Sequence, residues 1–219
     1  MTEARSARDV VLERIRAALA DRPPQLEIPR AYETTLPSGV DIVERFHERV
    51  ADYRANVHRV DDVQLPGAIA RVLAGHDATR VVVPSGVPEA WFGMLGSGFE
   101  FVADDPPLSN MHLDAVDGVL TGCGVAIAET GTIVLAGGPT EGRRALTLVP
   151  DLHVCIVRSD QVVETVPEAF AALRGLEHRP LTFVSGPSAT SDIELQRVEG
   201  VHGPRRLVVV LLDSLAPGR

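Results

Sequence analysis

Three short stretches hold the side chains best suited to chemistry. AIAETGTIVLAGG (residues 126–138) sets Glu129-Thr130-Gly131 between two apolar, strand-like runs. This reads as a short hairpin or a break between strands, with Gly131 supplying a backbone angle that other residues resist. Glu129 at such a junction has two readings. It serves as base or nucleophile if desolvation raises its pKa or a substrate carbonyl comes within reach, or it is a solvated turn acid. Thr130, Gly131 and Thr132 beside it are candidate ligand contacts. SGPSATSDIE (185–194) follows an apolar run and is mostly small and polar. Ser191 and Glu194 fit a capping box, predicting a helix of about two turns that stops at Gly200. Free N–H groups at that start, with Ser185, Gly186, Pro187, Ser188, Thr190 and Ser191 around them, suit a phosphate or carboxylate. The same residues equally describe a capped helix behind a polar loop. Asp192 is either favoured there by the helix dipole or turned to the cleft, where it would repel an anion or orient a histidine. GVHGPRRL (200–207) offers His202 as general acid or substrate donor, or as a backbone-bonded turn residue, with Gly203 beside it.

Nucleotide fingerprints are missing. GCGVAI (122–127) begins like a dinucleotide signature, but Ile127 stands where the third glycine belongs. GGPTEGRR (137–144) is Gly-rich and leads into a short helix, yet lacks the Gly-Lys-Ser/Thr ending of a phosphate loop. Neither His-Glu-x-x-His nor Gly-x-Ser-x-Gly occurs. Seven scattered histidines show no ligand spacing, and no metal site or cofactor is expected. The pairs Arg143-Arg144 and Arg205-Arg206 could steer an anionic ligand or lie solvated on the surface. Two cysteines, Cys123 and Cys155, each sit alone in an apolar run and read as buried thiols, too few to hold an iron–sulfur cluster.

The elements that must position these residues follow from patterning. With 219 residues, 45% of them hydrophobic, the chain can bury a full core. A net charge of −9 argues against nucleic-acid binding. The first twenty residues carry charges throughout, unlike a signal peptide, and no run approaches the ~20 apolar residues of a membrane span. A cytoplasmic protein is expected. Residues 7–20 and 40–58 show helical periodicity, separated by a Pro-rich connection. From there, short apolar runs at 80–84, 99–103, 124–128, 132–136, 153–157, 181–185 and 206–212 predict strands. Helices are expected at 66–73, 88–95, 110–115, 144–148 and 166–173, giving an α/β fold with a mainly parallel sheet.

AIAETGTIVL, GPSATSDIE and GVHGPRRLVVVLL, in this order with LVPDLHVCIV between the first two, resemble the LUD-domain family and its lactate utilization protein C group. The likeness runs from about residue 60 to 212. It implies a three-layer α/β/α fold similar to ribose-5-phosphate isomerase, glucosamine-phosphate deaminase and coenzyme A transferases. A helical extension (1–60) would precede a LUD core (61–215). A ligand would lie at the carboxyl ends of the strands, with Glu129, the 185–192 loop and His202 converging there. The resemblance further implies a component of an L-lactate-oxidizing system that binds a small anionic metabolite, with redox centres on iron–sulfur partner proteins. The alternative is a stand-alone enzyme on a sugar phosphate or acyl-coenzyme A substrate, with Glu129 as base or nucleophile.

Overall fold

The computed structural model describes residues 6–21, 27–29, 31, 39–53, 55–176, 178–187 and 203–213. Contacts divide the chain into two units, Met1–Tyr32 and Glu33–Arg219. The first contains α1 (Ala7–Ala18), capped by Ser6, whose side chain accepts from the Asp9 N–H at 3.2 Å. None of its residues is buried, and Val11, Ile15 and Leu19 are exposed.

The second unit opens with α2 (Ile42–Asp52), whose cap Asp41 accepts from Val43 and Glu44 N–H groups at 3.0 and 3.1 Å. This helix stops six residues short of the expected end at 58, because Asn56–Val60 forms strand β1. The remaining elements are α3 (Leu65–Gly75), β2 (Arg80–Val83), β3 (Glu100–Ala103), α4 (Asn110–Asp114), β4 (Gly118–Thr121), β5 (Val125–Ile127) and β6 (Thr132–Leu135). After these come β7 (Leu152–Arg158), β8 (Val162–Val163), α5 (Val166–Ala172), β9 (Thr182–Val184) and β10 (Arg206–Leu212). The helices expected at 88–95 and 144–148 are single 3-10 turns, Glu89–Trp91 and Arg144–Thr147.

Six strands form one sheet in the order β1-β10-β7-β4-β2-β3, and every pairing in it is parallel. The inner strands β10 and β7 are buried on both faces, which is why both read as nearly unbroken apolar runs. Alternate residues serve opposite faces. Val208 and Val210 join Val154, Ile156 and the apolar side of α3, where Leu65, Ile69 and Leu73 are buried. Val209 and Leu211 join Cys155, Val157 and, from α2, Phe46 and Val50. A second, four-stranded sheet of order β8-β5-β6-β9 covers this latter face. Its outward residues Val125, Ile127 and Val134 pack with Ala169 and Leu173 at α5. The molecule is thus the expected α/β fold, a mainly parallel sheet flanked by helices, with an additional mixed sheet that periodicity does not separate from the first. By contacts, α2 and β1 fall in the second unit, with β1 pairing in parallel with β10.

Candidate functional site

At the carboxyl edge of the large sheet, the turns after β2 and β3 face the Gly-rich segment 137–142 across a cleft of about 680 Å³. Open α/β sheets bind ligands at this edge. The segment's shape is set from within. Glu141, only 6% exposed, accepts hydrogen bonds from the N–H groups of Ala136 and, at 3.3 Å, Gly138. The Gly142 N–H donates to the Gly138 carbonyl at 2.8 Å. Gly142 holds φ +68°, and a Cβ there would stand 2.6 Å from Leu146 Cδ1, so glycine is required twice over. The Gly86 and Gly122 N–H groups donate to Pro139 and Thr140 carbonyls at 3.0 and 2.9 Å, tying the segment to the ends of β2 and β4.

Five charged side chains line the cleft: Asp104, Glu141, Arg143, Arg144 and Arg179. Arg143 is already engaged. Its Nε and Nη2 donate to the two Asp104 oxygens at 2.7 and 2.9 Å, and Nη2 also donates to the Leu108 carbonyl at 2.5 Å. Burial works to raise the Asp104 pKa, but hydrogen bonds from Arg143 and from the Leu108 N–H outweigh it and hold the carboxyl below its ordinary range. The same pairing pushes the Arg143 guanidinium up. Arg144 and Arg179, by contrast, are exposed and form no ion pair among the described residues. Three arginines against two committed carboxylates leave this cleft cationic in a chain of net charge −9. Its walls add the buried Pro84 and Leu146 and the hydroxyls of Ser85, Thr147 and Thr182.

Apart from the 137–144 segment, the described residues singled out by sequence lie outside this cleft. Glu129 occupies the turn of the β5–β6 hairpin, where Ile127 faces Thr132 across an antiparallel pair. Its side chain is exposed, and its backbone N–H donates to the Glu164 carbonyl at 3.0 Å. Gly131 holds φ +62°, and a Cβ there would lie 2.7 Å from the Arg49 carbonyl carbon, so the hairpin tip sits directly on the backbone of α2. Thr130 Oγ1 donates to Thr132 Oγ1 at 2.7 Å, and Thr132 shares a 2.7 Å hydrogen bond with Ser185. Gly186 follows, packed against Tyr53, and then Pro187. Thr130, Gly131, Thr132, Ser185 and Gly186 therefore gather beside Glu129. They occupy the end of β6 away from the cleft, since Leu135 at the other end lines it. Gly203 stands apart, before β10 at the amino edge of the large sheet. Ser188, Thr190, Ser191, Asp192 and His202 fall outside the described residues.

Sequence reading finds Arg143, Arg144 and the Gly-rich segment of the cleft but not Asp104, Ser85, Arg179 or Thr182. For Asp104 and Ser85 a signal exists, because each follows closely on the end of a predicted strand. Nothing local marks Arg179. Both cysteines are free and buried. The hydrogen bond with Cys155, together with burial, pushes the Cys123 thiol well up. No helix among the described residues is long and apolar enough to cross a membrane.

Comparison with known proteins settles the family. A lactate utilization protein C from Deinococcus radiodurans is 49% identical over 204 residues, spanning 92% of this chain and 93% of that protein. The chain belongs to the LUD domain family. The family's domain model matches residues 109–212, the stretch from the start of α4 to the end of β10. Another lactate utilization protein C, from Geobacillus kaustophilus, is 26% identical over 94% of this chain and 96% of its own length. Among solved structures, a DUF162 family protein from Deinococcus radiodurans superposes with a TM-score of 0.69 at 45% identity, covering 81% of this chain and 99% of that one. The LUD domain segment includes most of the cleft, from the Gly-rich loop through Arg179 and Thr182, while Ser85 and Asp104 come from the strands before it.

Proposed function

We propose that this LUD-domain chain is a component of an L-lactate utilization system, converting L-lactate to pyruvate together with iron–sulfur partner proteins, and that it binds a small anionic metabolite in the cleft at the carboxyl edge. The names of its full-length relatives support the first part. The observation carrying the second is the pair Arg144 and Arg179, two arginines without ion-pair partners among the described residues, facing one cleft beside a glycine-rich loop. Arginine suits carboxylate and phosphate recognition because its planar fork can donate two parallel hydrogen bonds. The redox centres are assigned to partners, because a cluster needs about four cysteine ligands and this chain has two, both buried. Deleting the gene should stop growth on L-lactate as sole carbon source, with restoration by the wild-type copy. Growth unchanged by deletion would defeat the proposal.

The hydroxyl chain Thr130–Thr132–Ser185 supports a second reading, because it joins two candidate segments next to Glu129. In that reading the chain is a stand-alone enzyme on a sugar phosphate or acyl-coenzyme A substrate, with Glu129 as base or nucleophile. Turnover by the purified chain that is lost in Glu129→Gln and kept in Arg179→Ala would select it.

A further inference from the structure

We infer that the ligand of the carboxyl-edge cleft is a dianion with an extended, non-aromatic body, a phosphate monoester or a dicarboxylate, rather than a three-carbon acid such as lactate or pyruvate. This rests on the cleft being the anion site, and it adds the ligand's size, charge and character.

Size comes from volume. A three-carbon hydroxy acid has about six non-hydrogen atoms, and even at the ~30 Å³ that a water molecule occupies in the liquid it would fill roughly 180 Å³. The cleft, partly open to solvent, offers about 680 Å³, inside the range typical of small-molecule sites. Lactate alone would leave most of that space to water.

Charge comes from the uncommitted side chains. Arg143 is neutralised by Asp104 through two hydrogen bonds, and Glu141 is turned into its own loop, accepting from Ala136 and Gly138. Arg144 follows the Gly-rich loop, and Arg179 arrives from the segment before β9, so the two cations reach the cleft from separate parts of the chain. Two such guanidinium groups, each a two-donor fork, can hold the two ends of a dianion.

Character comes from the walls. No aromatic side chain lines the cleft among the described residues, so a planar base or flavin has nothing to stack on. The hydroxyls of Ser85, Thr147 and Thr182 suit a body bearing hydroxyl or carbonyl groups, and Pro84 and Leu146 supply the apolar remainder.

The test is calorimetric titration of the full chain with four probes: L-lactate, inorganic phosphate, glucose 6-phosphate and 2-oxoglutarate. Each titration is repeated on the Arg144→Ala/Arg179→Ala variant, whose thermal melt checks that it is folded. The expected result is that glucose 6-phosphate or 2-oxoglutarate binds at least tenfold more tightly than both smaller or singly charged probes, and that the variant loses at least tenfold of that affinity. Which of the two larger probes wins separates phosphate monoester from dicarboxylate. If L-lactate or inorganic phosphate binds as tightly as the larger probes and is lost in the variant, the size inference is overturned while the cleft stands as an anion site. Binding that survives in the variant, or no binding by any probe, overturns both.

Discussion

Replacing Asp104 with Asn tests whether the cleft floor is an electrostatic clamp. The Asp104 side chain is 9% exposed and that of Arg143 35% exposed, and two short hydrogen bonds join them. Hydrogen bonds to charged groups contribute about 1.5–3 kcal/mol each, and removing one member of a buried pair costs about 3–5 kcal/mol. Water reaches Arg143 and recovers part of this, and the amide oxygen of Asn keeps one acceptor, so a net loss of about 2 kcal/mol is expected. For a chain of this size that lowers Tm by about 4–8 °C. The pH dependence has a definite sign. Because the folded-state pKa of Asp104 is depressed, its stabilisation is fully present above the unfolded value of about 3.9 and is lost as pH falls through the folded value. Thermal melts of both proteins, followed by circular dichroism from pH 7 to pH 3, should therefore show a gap that is constant from pH 7 to about pH 5 and narrows below pH 4. Equal melting at pH 7, or a gap that widens in acid, would refute the clamp.

Gly131→Ala must accept a positive φ and a Cβ 2.7 Å from the α2 backbone, so it should lose at least ~2 kcal/mol in urea unfolding. Thr121→Val strands the buried His153 Nε2, now 2.8 Å from the Thr121 hydroxyl, and should cost about 1–3 kcal/mol by the same measurement. Phe46→Ala empties a fully buried site between α2 and the sheet, and should cost about 3–5 kcal/mol. Anion binding in the cleft should weaken as ionic strength rises, because Arg144 and Arg179 are exposed, and titrations at low and high salt check this.

Much of the fold is legible in the chain, and the exceptions are tertiary in origin. The run 206–212 reads as a strand covered on both faces and is one, and of the two readings of Glu129-Thr130-Gly131, hairpin or break, the hairpin between β5 and β6 is the one found. Residues 53–58 read as helix because Tyr53 and Val57 continue the apolar stripe of Phe46 and Val50. They leave that stripe because β10 offers a parallel partner, in which Asn56 faces Val208 and Val60 faces Leu212. The separate second sheet is equally invisible to periodicity, since β8 is two residues long and β9 three. The cleft is harder still. Pro84, Asp104, Gly137–Thr147 and Arg179 come from four separated turns, and no local spacing links them. Its Gly-rich loop announces itself, but what it binds depends on arginines whose partners only the fold reveals.

The most direct measurement uses cell extract from a strain lacking this gene, with L-lactate-dependent reduction of a dye acceptor as the readout. Adding the purified wild-type chain should restore reduction, while the folded Arg144→Ala/Arg179→Ala variant should restore a tenth or less of it. Restoration by the variant equal to wild type would contradict a role for the cleft, and reduction undiminished in the unsupplemented extract would contradict a role in lactate utilization.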